Sequence, residues 1–203
     1  MSHGRNTDGA YIDTPAPETA PPATREMYEG AVESHGYLPN MTRLFGHRPE
    51  AMAAWSALIH AIRGNMDLRR YELVTLAAAR ALRSSYCMLA HGTVLLQNGV
   101  APDALRAIAE GSADAGLTEA ERAIMAYAEK VVRDATAVTP GDIDALRAHG
   151  LSDAEIFDIA AAAAVRCFFS KTLDALGAQP DRSYAALAPD LRAVLTVGRP
   201  IAP

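Results

Sequence analysis

Helix-capping signals divide this sequence into helix-length segments. Thr118–Glu121 (TEAE) and Ser152–Glu155 (SDAE) match the capping box, in which a serine or threonine and a glutamate three residues later exchange hydrogen bonds. Asp67 is placed to cap a third helix, and Thr139 followed by Pro140 marks a fourth start. No strand-length stretch alternates between apolar and polar residues. The capping pattern therefore predicts an all-α fold.

Composition agrees with this prediction. Half of the 203 residues are hydrophobic but only 6% are aromatic, which favours close-packed helices over strands. The length fits a single domain, because one core stays efficient up to ~250 residues. The segment from Ser152 to Gly177 is apolar nearly all round in its middle, so we expect it to be a central, buried helix. The high apolar content also predicts a homo-oligomer built through helices.

The first 22 residues differ from the rest of the chain. They combine Gly, Asp and Thr with four prolines and bury too little apolar surface to offset the entropy of ordering. We therefore predict a flexible N-terminal tail over residues 1–22 and one helical domain over residues 23–203.

Charge and hydropathy exclude several classes of partner. The net charge is -5 and acidic and basic residues are interspersed, so no surface is suited to nucleic acid. The sequence has no signal-peptide core and no run of ~20 apolar residues that would cross a membrane. We expect a cytoplasmic protein whose two cysteines, Cys87 and Cys167, are thiols.

The stretch SSYCMLAHG, residues 84–92, carries the candidate chemistry. Cys87 and His91 are four residues apart and so lie one turn apart on a helix, a base beside a nucleophile. If the helix starts at Ser84 or Ser85, Cys87 lies in its first turn, where the helix dipole favours a thiolate. Glu72 lies on the preceding helix, where its carboxylate can orient the imidazole.

Each of these residues also has a structural interpretation. A lone cysteine on an apolar helix is often a small buried hydrophobe, and a histidine one turn away is often only hydrogen-bonded. Ser84 is placed to be an N-cap, and Tyr86 to be a packed aromatic with its hydroxyl at the surface. Glu72 can be an exposed charge paired with a neighbouring arginine, at position 69 or 70.

Metal binding and a second reactive thiol are not expected from the pattern. One cysteine and one histidine fall short of the three or four ligands of a zinc site, so we predict no metal and no cofactor. Cys167 lies in VRCFFS within the alanine-rich helix and is expected to be a core residue.

The segment ELVTLAAARALRSSYCMLAHG resembles the core motif of the carboxymuconolactone decarboxylase and AhpD-like alkylhydroperoxidase family. That motif is Glu, eleven residues, Cys, two residues, Cys, three residues, His. This sequence matches it at Glu72, Cys87 and His91 and has Ser84 where the first cysteine should be. The segments on either side are similar to the peroxidase-related subgroup, so the resemblance covers nearly all of the chain after the tail.

The resemblance implies an all-helical fold assembled as a dimer, trimer or hexamer. In AhpD-like members the two cysteines cycle between dithiol and disulfide, and the glutamate and histidine relay a proton. Cys87 then occupies the place of the peroxide-attacking cysteine. Because the hydroxyl of Ser84 forms no disulfide, a sulfenic acid at Cys87 needs another resolving thiol.

Three functions stay open at this stage. The first is a one-cysteine peroxidase acting on a small hydroperoxide, with Cys87 as nucleophile, a Glu72/His91 proton relay, and Cys167 or an external thiol as reductant. The second is a cofactor-free decarboxylase or isomerase of a small organic acid, with His91 as general acid/base. The third is a non-catalytic binding or scaffolding member of the fold.

Overall fold

The computed structural model describes residues 9–203, and this part of the chain contains helices and no strand. The all-α prediction is confirmed. Short 3-10 helices lie at Ala135–Ala137 and Arg182–Ala186. The α-helices, in chain order, are α1 (Pro22–His35), α2 (Asn40–Phe45), α3 (Pro49–Arg63), α4 (Leu68–Leu82), α5 (Ser85–Gln97), α6 (Pro102–Glu110), α7 (Glu119–Asp134), α8 (Pro140–Ala148), α9 (Asp153–Ala175) and α10 (Pro189–Leu195).

The predicted capping signals begin helices in the structure. Thr118 and Ser152 both form complete capping boxes, with their hydroxyls accepting from the backbone N–H three residues on. The Asp67 side chain accepts from the backbone N–H of Arg70 at the start of α4. Local side-chain chemistry thus fixes where α4, α7 and α9 start.

Helix α4 forms the centre of the fold. Residues 71–79 are all buried, and α4 packs against α5, α7 and α9. Its consecutive alanines, Ala77, Ala78 and Ala79, are fully buried, because small side chains let neighbouring helices approach closely. The first residues of this buried run include Glu72, which places a carboxylate inside the core.

The helix from Ser152, expected to be central and buried, has ten buried residues but also an exposed face. Helix α9 packs against α3, α4, α7 and α8, yet Phe157 is 70% exposed and Phe168 is 48% exposed. The apolar residues of α9 therefore form two faces, one that packs in the core and one that is exposed to solvent.

A tight turn between α4 and α5 sets the position of the site. Arg83 ends α4 in the left-handed conformation with φ of 56°, and α5 begins two residues later. The backbone of Gly198 lies against this turn, where an added Cβ would approach the Arg83 carbonyl oxygen to 2.1 Å. Only glycine fits this close contact between the C-terminal segment and the turn.

Residues 9–21, which precede α1, form no helix and lie against the helical part of the chain. The backbone N–H of Tyr11 donates to the Leu176 carbonyl at 2.8 Å, and Tyr28 donates to the Pro15 carbonyl at 3.1 Å. Residues 1–8 of the predicted tail lie outside the described residues. The division into a flexible tail over residues 1–22 and a domain over residues 23–203 stays a prediction. Within residues 9–203, no helix is both long and apolar enough to cross a membrane.

We expect Ser152→Ala to destabilise the protein by about 1 kcal/mol, because it removes the hydroxyl that caps α9. Chemical denaturation with urea measures the free energy of unfolding. Ser56→Ala, at an exposed position inside α3, is the control and should change it by less than about 0.5 kcal/mol. Equal effects of the two substitutions would contradict the capping role.

Candidate active site

The Glu72 carboxylate and the His91 imidazole form a buried pair between α4 and α5. The Glu72 Oε2 atom lies 2.5 Å from His91 Nδ1, and the glutamate is 2% exposed. The alternative interpretation of Glu72 as an exposed charge paired with a neighbouring arginine is wrong. Arg69 pairs with Glu121 and Arg70 pairs with Glu155 on the outer side of α4. The structure thus brings together the carboxylate and the imidazole that the motif spacing predicts.

Arg166 completes this cluster from α9 and was missed by the sequence analysis. Its Nη1 lies 3.1 Å from His91 Nε2, and its Nη2 donates to the Tyr71 hydroxyl at 2.5 Å. The side chain is buried, at 2% exposed. The signal that could have found it is a single arginine inside the apolar run AAAAAVRCFFS, because charged residues are rarely buried without a partner.

These contacts define the state of the imidazole. Arginine has no acceptor, so Arg166 donates to Nε2, and the His91 proton then lies on Nδ1, where it is donated to Glu72. Burial lowers the pKa of His91 below its ordinary value, and the nearby Arg166 guanidinium lowers it further, while Glu72 opposes both. His91 is therefore a neutral imidazole at neutral pH.

Cys87 lies in the first turn of α5, as the sequence predicts, and is buried. Its Sγ atom lies 3.2 Å from the Ser170 hydroxyl on α9. The hydrogen bonds of His91, one turn further along α5, go instead to Glu72 and Arg166. The two predicted residues thus share a helix face, but each has its own partner.

Helices α5 and α9 meet through two side-chain contacts. Cys87 contacts Ser170 and His91 contacts Arg166, and in each helix the two residues are four apart. The residues therefore lie one turn apart on each helix, and the helices run in opposite directions at this point. The thiol and the imidazole cluster are neighbouring parts of one site.

The Ser84 hydroxyl does not cap α5, in contrast to the N-cap interpretation. Ser84 occupies the N-cap position but makes no capping hydrogen bond. The side chain is fully buried. Ser84 thus occupies the N-cap position of α5 without capping it, and its buried Oγ atom has no hydrogen-bond partner among residues 9–203.

The Tyr86 hydroxyl is buried, and the expectation that it would reach the surface is wrong. It donates to the Asp181 carboxylate and accepts from the backbone N–H of Met41 at 3.2 Å. Burial raises the pKa of Tyr86 well above its ordinary value, and the Asp181 charge adds to this rise. Tyr86 therefore anchors α5 to α2 and to the segment after α9, where its hydroxyl has buried partners.

Cys167 is half-buried, so the expectation of a core residue is wrong. It lies on α9 beside Arg166, and like Cys87 it is a free thiol. Within residues 9–203, no group of three or more His, Cys, Asp or Glu side chains is arranged to hold a metal ion.

A family model describes the central part of the chain. The model of the carboxymuconolactone decarboxylase family matches residues 49–130, which run from the start of α3 into α7. This range contains Glu72, Cys87 and His91. None of the curated proteins compared with the chain matches it.

Solved structures share the fold over most of the chain. One is a peroxidase-related protein from Ralstonia eutropha JMP134 described as an alkylhydroperoxidase AhpD core, with a TM-score of 0.78 and 25% identity over 90% of this chain and 96% of that one. A peroxidase-related protein from Silicibacter sp. TM1040 has a TM-score of 0.77 and 22% identity, over 88% and 95% of the two chains. A variant of the debrominase Bmp8 in complex with 2,3,4-tribromopyrrole has a TM-score of 0.69 and 21% identity, over 92% and 97%.

We expect the pKa of His91 to rise in Arg166→Gln and to fall in Glu72→Gln, because the first removes a positive neighbour and the second a negative one. Long-range ¹H–¹⁵N NMR should show the parent His91 as the neutral Nδ1–H tautomer at pH ~6.5, where a free imidazole is half protonated. An imidazolium signal at that pH would contradict this assignment.

The same shift makes stability depend on pH. Since the pKa of His91 is lower in the folded protein, the unfolded chain binds a proton first as pH falls, and stability is lost below pH ~6.5. Urea denaturation at two pH values measures this loss, and exposed His60→Gln should leave it unchanged.

Proposed function

We propose that the chain is a member of the carboxymuconolactone decarboxylase and AhpD-like family and a one-cysteine thiol peroxidase that reduces hydroperoxides through Cys87. The family model that matches residues 49–130 and the fold shared with the AhpD core support this proposal. The observation that carries the proposal is the 3.2 Å contact between the Cys87 sulfur and the Ser170 hydroxyl, one helical turn from the His91–Glu72 pair. A hydroxyl that donates to sulfur stabilises a thiolate, as does the first turn of α5.

The first step is loss of the Cys87 proton. Neutral His91 is the nearby base. Its Nε2 atom gives up the hydrogen bond from Arg166 and accepts the proton of the Cys87 thiol. The Glu72 carboxylate, 2.5 Å from Nδ1, stabilises the imidazolium that forms. The thiolate then attacks the terminal oxygen of the hydroperoxide, and the O–O bond breaks. Cys87 becomes a sulfenic acid, and the departing alkoxide takes the proton from His91 to leave as an alcohol.

The second step needs a thiol from elsewhere, because Ser84 replaces the resolving cysteine of the family motif. A first external thiol condenses with the sulfenic acid to give a mixed disulfide and water. A second thiol reduces this disulfide and regenerates Cys87. We place the enzyme in the cytoplasm, where small thiols are abundant and both cysteines stay reduced.

A second candidate is a cofactor-free lyase or isomerase in which His91 is the general acid/base. The observation that favours it is that both imidazole nitrogens are bonded to Glu72 and Arg166 and neither to Cys87. This cluster has an oriented, neutral imidazole and needs no thiol. The debrominase among the structural neighbours indicates that the fold is used for more than one reaction.

We also propose that the chain forms a homo-oligomer through the exposed stripe of α9. Phe157 and Phe168 are 11 residues apart, three helical turns, and the stripe between them includes exposed Ala164. Leu58 on α3, which packs against α9, is 51% exposed. Large apolar side chains exposed on adjoining helices are typical of a protein–protein interface.

Cys87→Ser should abolish oxidation by stoichiometric peroxide, whereas Cys167→Ser should leave the first oxidation intact, because only Cys87 has the hydroxyl and the helix start beside it. Ser170→Ala should slow oxidation at least about tenfold, since a hydrogen bond to a charged group contributes about 1.5–3 kcal/mol. Intact-mass spectrometry measures the oxygen added to each variant.

The product should be a sulfenic acid, or a mixed disulfide when small thiols are present. Oxidation of Cys167 alone would overturn the peroxidase proposal. Unchanged turnover of a small organic acid by Cys87→Ser, together with its loss in His91→Gln, would support the lyase or isomerase instead.

The parent protein should sediment as an oligomer at micromolar concentration, and Phe157→Glu with Phe168→Glu should shift it toward the monomer of 21.5 kDa. Two charges in the proposed interface lose their hydration on association and oppose it. Val32→Glu, at a position 44% exposed on α1, is the control and should leave the oligomer intact. A monomeric parent would exclude the interface.

A further inference from the structure

Two buried hydrogen-bond donors beside the His91 cluster have no acceptor among residues 9–203. They are the Nε atom of Arg166 and the indole Nε1 of Trp55. Arg166 is 2% exposed, and its other two nitrogens are bonded to His91 and Tyr71. A buried donor without an acceptor costs about 1–3 kcal/mol, and more when it is charged. Such donors therefore point to an acceptor that is not part of the described chain.

The two donors are held beside each other. The Arg166 guanidinium lies over the Trp55 ring, with Cζ 5.3 Å from the ring centroid. The indole is itself stacked on Phe169, with centroids 4.2 Å apart. Phe169 stacks in turn on Phe45, at 5.6 Å. An aromatic wall thus fixes the position of the donors, which keeps the entropy cost of ligand binding low.

The charge of the cluster favours an anion. Arg166 forms no ion pair with any carboxylate in residues 9–203, and the buried carboxylate of the cluster, Glu72, is bonded to His91. A second guanidinium, that of Arg63, lies 5.5 Å from the centroid of the Tyr71 ring. The buried charges are thus the Arg166 guanidinium and a carboxylate already bonded to His91, and exposed Arg63 adds positive charge at the edge of the cluster.

We propose that Arg166 and Trp55 form a binding site for the carboxylate of the substrate. A guanidinium and an indole N–H are donors only, so they select an acceptor, and the buried positive charge of Arg166 favours a negative one. The proposal rests on the peroxidase function and narrows its substrate to organic hydroperoxides that carry a carboxylate. Arg166 thus binds the substrate as well as touching the base.

The two side-chain contacts between α5 and α9 set the distance between the two ends of such a substrate. Arg166 and Ser170 lie one turn apart on α9, and Ser170 contacts Cys87. Side chains one turn apart are separated by about 5–6 Å. A substrate with its carboxylate at Arg166 and its peroxide at Cys87 would therefore have a short apolar linker between the two groups. This linker would contact the aromatic wall.

Trp55 is the only tryptophan in the chain, so its fluorescence reports on the proposed site. Sodium hexanoate should change the Trp55 emission in a saturable way, whereas hexan-1-ol and sodium chloride at the same concentration should not. A response to hexan-1-ol equal to that of hexanoate would overturn the proposal. An equal response to chloride would show a site for inorganic anions and would also overturn it.

Variants test the two donors separately, with hexanoate binding measured by calorimetry. Arg166→Gln should raise the Kd at least about tenfold, because it removes a charge-assisted hydrogen bond. Arg133→Gln makes the same charge change on the surface and should leave the Kd unchanged. Trp55→Phe keeps the aromatic wall and should raise the Kd about threefold to tenfold. If Arg166→Gln does not fold, Trp55→Phe alone tests the proposed site. An unchanged Kd for hexanoate in Trp55→Phe would then exclude the site.

The carboxylate site and the peroxidase function can be tested separately. Cys87→Ser should bind hexanoate as the parent does, because the thiol is not part of the carboxylate site. Hexanoate binding without peroxide oxidation of Cys87 would exclude the peroxidase and keep the carboxylate site. Peroxide oxidation without hexanoate binding would exclude the carboxylate site alone.

Discussion

The rest of the site depends on the burial of the Glu72 carboxylate. A carboxylate inside the core is costly unless it is paired, and the chain pairs it with His91 at 2.5 Å. The other nitrogen of the imidazole meets Arg166, so that α4, α5 and α9 are joined through one buried polar cluster. Removing any of the three side chains leaves an uncompensated polar group, which makes the relative position of the helices specific.

This cluster and the thiol share two helices but use different contacts. Cys87 is bonded to Ser170, and His91 to Glu72 and Arg166, one turn away. A proton path between thiol and imidazole requires a change of partner at Nε2, whereas acid–base chemistry at His91 alone does not. The same arrangement therefore accommodates both the thiol peroxidase and the lyase or isomerase. Only the peroxidase requires His91 Nε2 to leave Arg166 and contact the Cys87 thiol.

Arg166 links the two parts of the site because it contacts both the His91 imidazole and the aromatic wall. It lowers the pKa of His91, in addition to the larger effect of burial, and lies over the Trp55 ring. An anion bound to its guanidinium would weaken this effect on the imidazole and favour the protonated form. Binding of a carboxylate at Arg166 would therefore be coupled to the protonation of His91 through one side chain.

Local sequence determined the helices and the spacing of the motif. Capping residues such as Asp67, Thr118 and Ser152 act within one turn, so their effects can be predicted from the sequence. The positions of Cys87 and His91 on one helix face follow from helical periodicity in the same way. Burial of Glu72 was one of two interpretations, because periodicity alone does not say which face of α4 is covered.

Tertiary structure decided which groups meet the motif. Ser170 and Arg166 come from α9, more than 70 residues along the chain from Cys87 and His91, and no local pattern relates them. For the same reason the Tyr86 hydroxyl was predicted wrongly and the exposed face of α9 was not predicted, since burial depends on which helices pack together. The sequence by itself determined the helices and the candidate nucleophile and base. The packing of α5 and α9 on α4 decided their hydrogen-bond partners, because contacts between distant segments exist only in the folded chain.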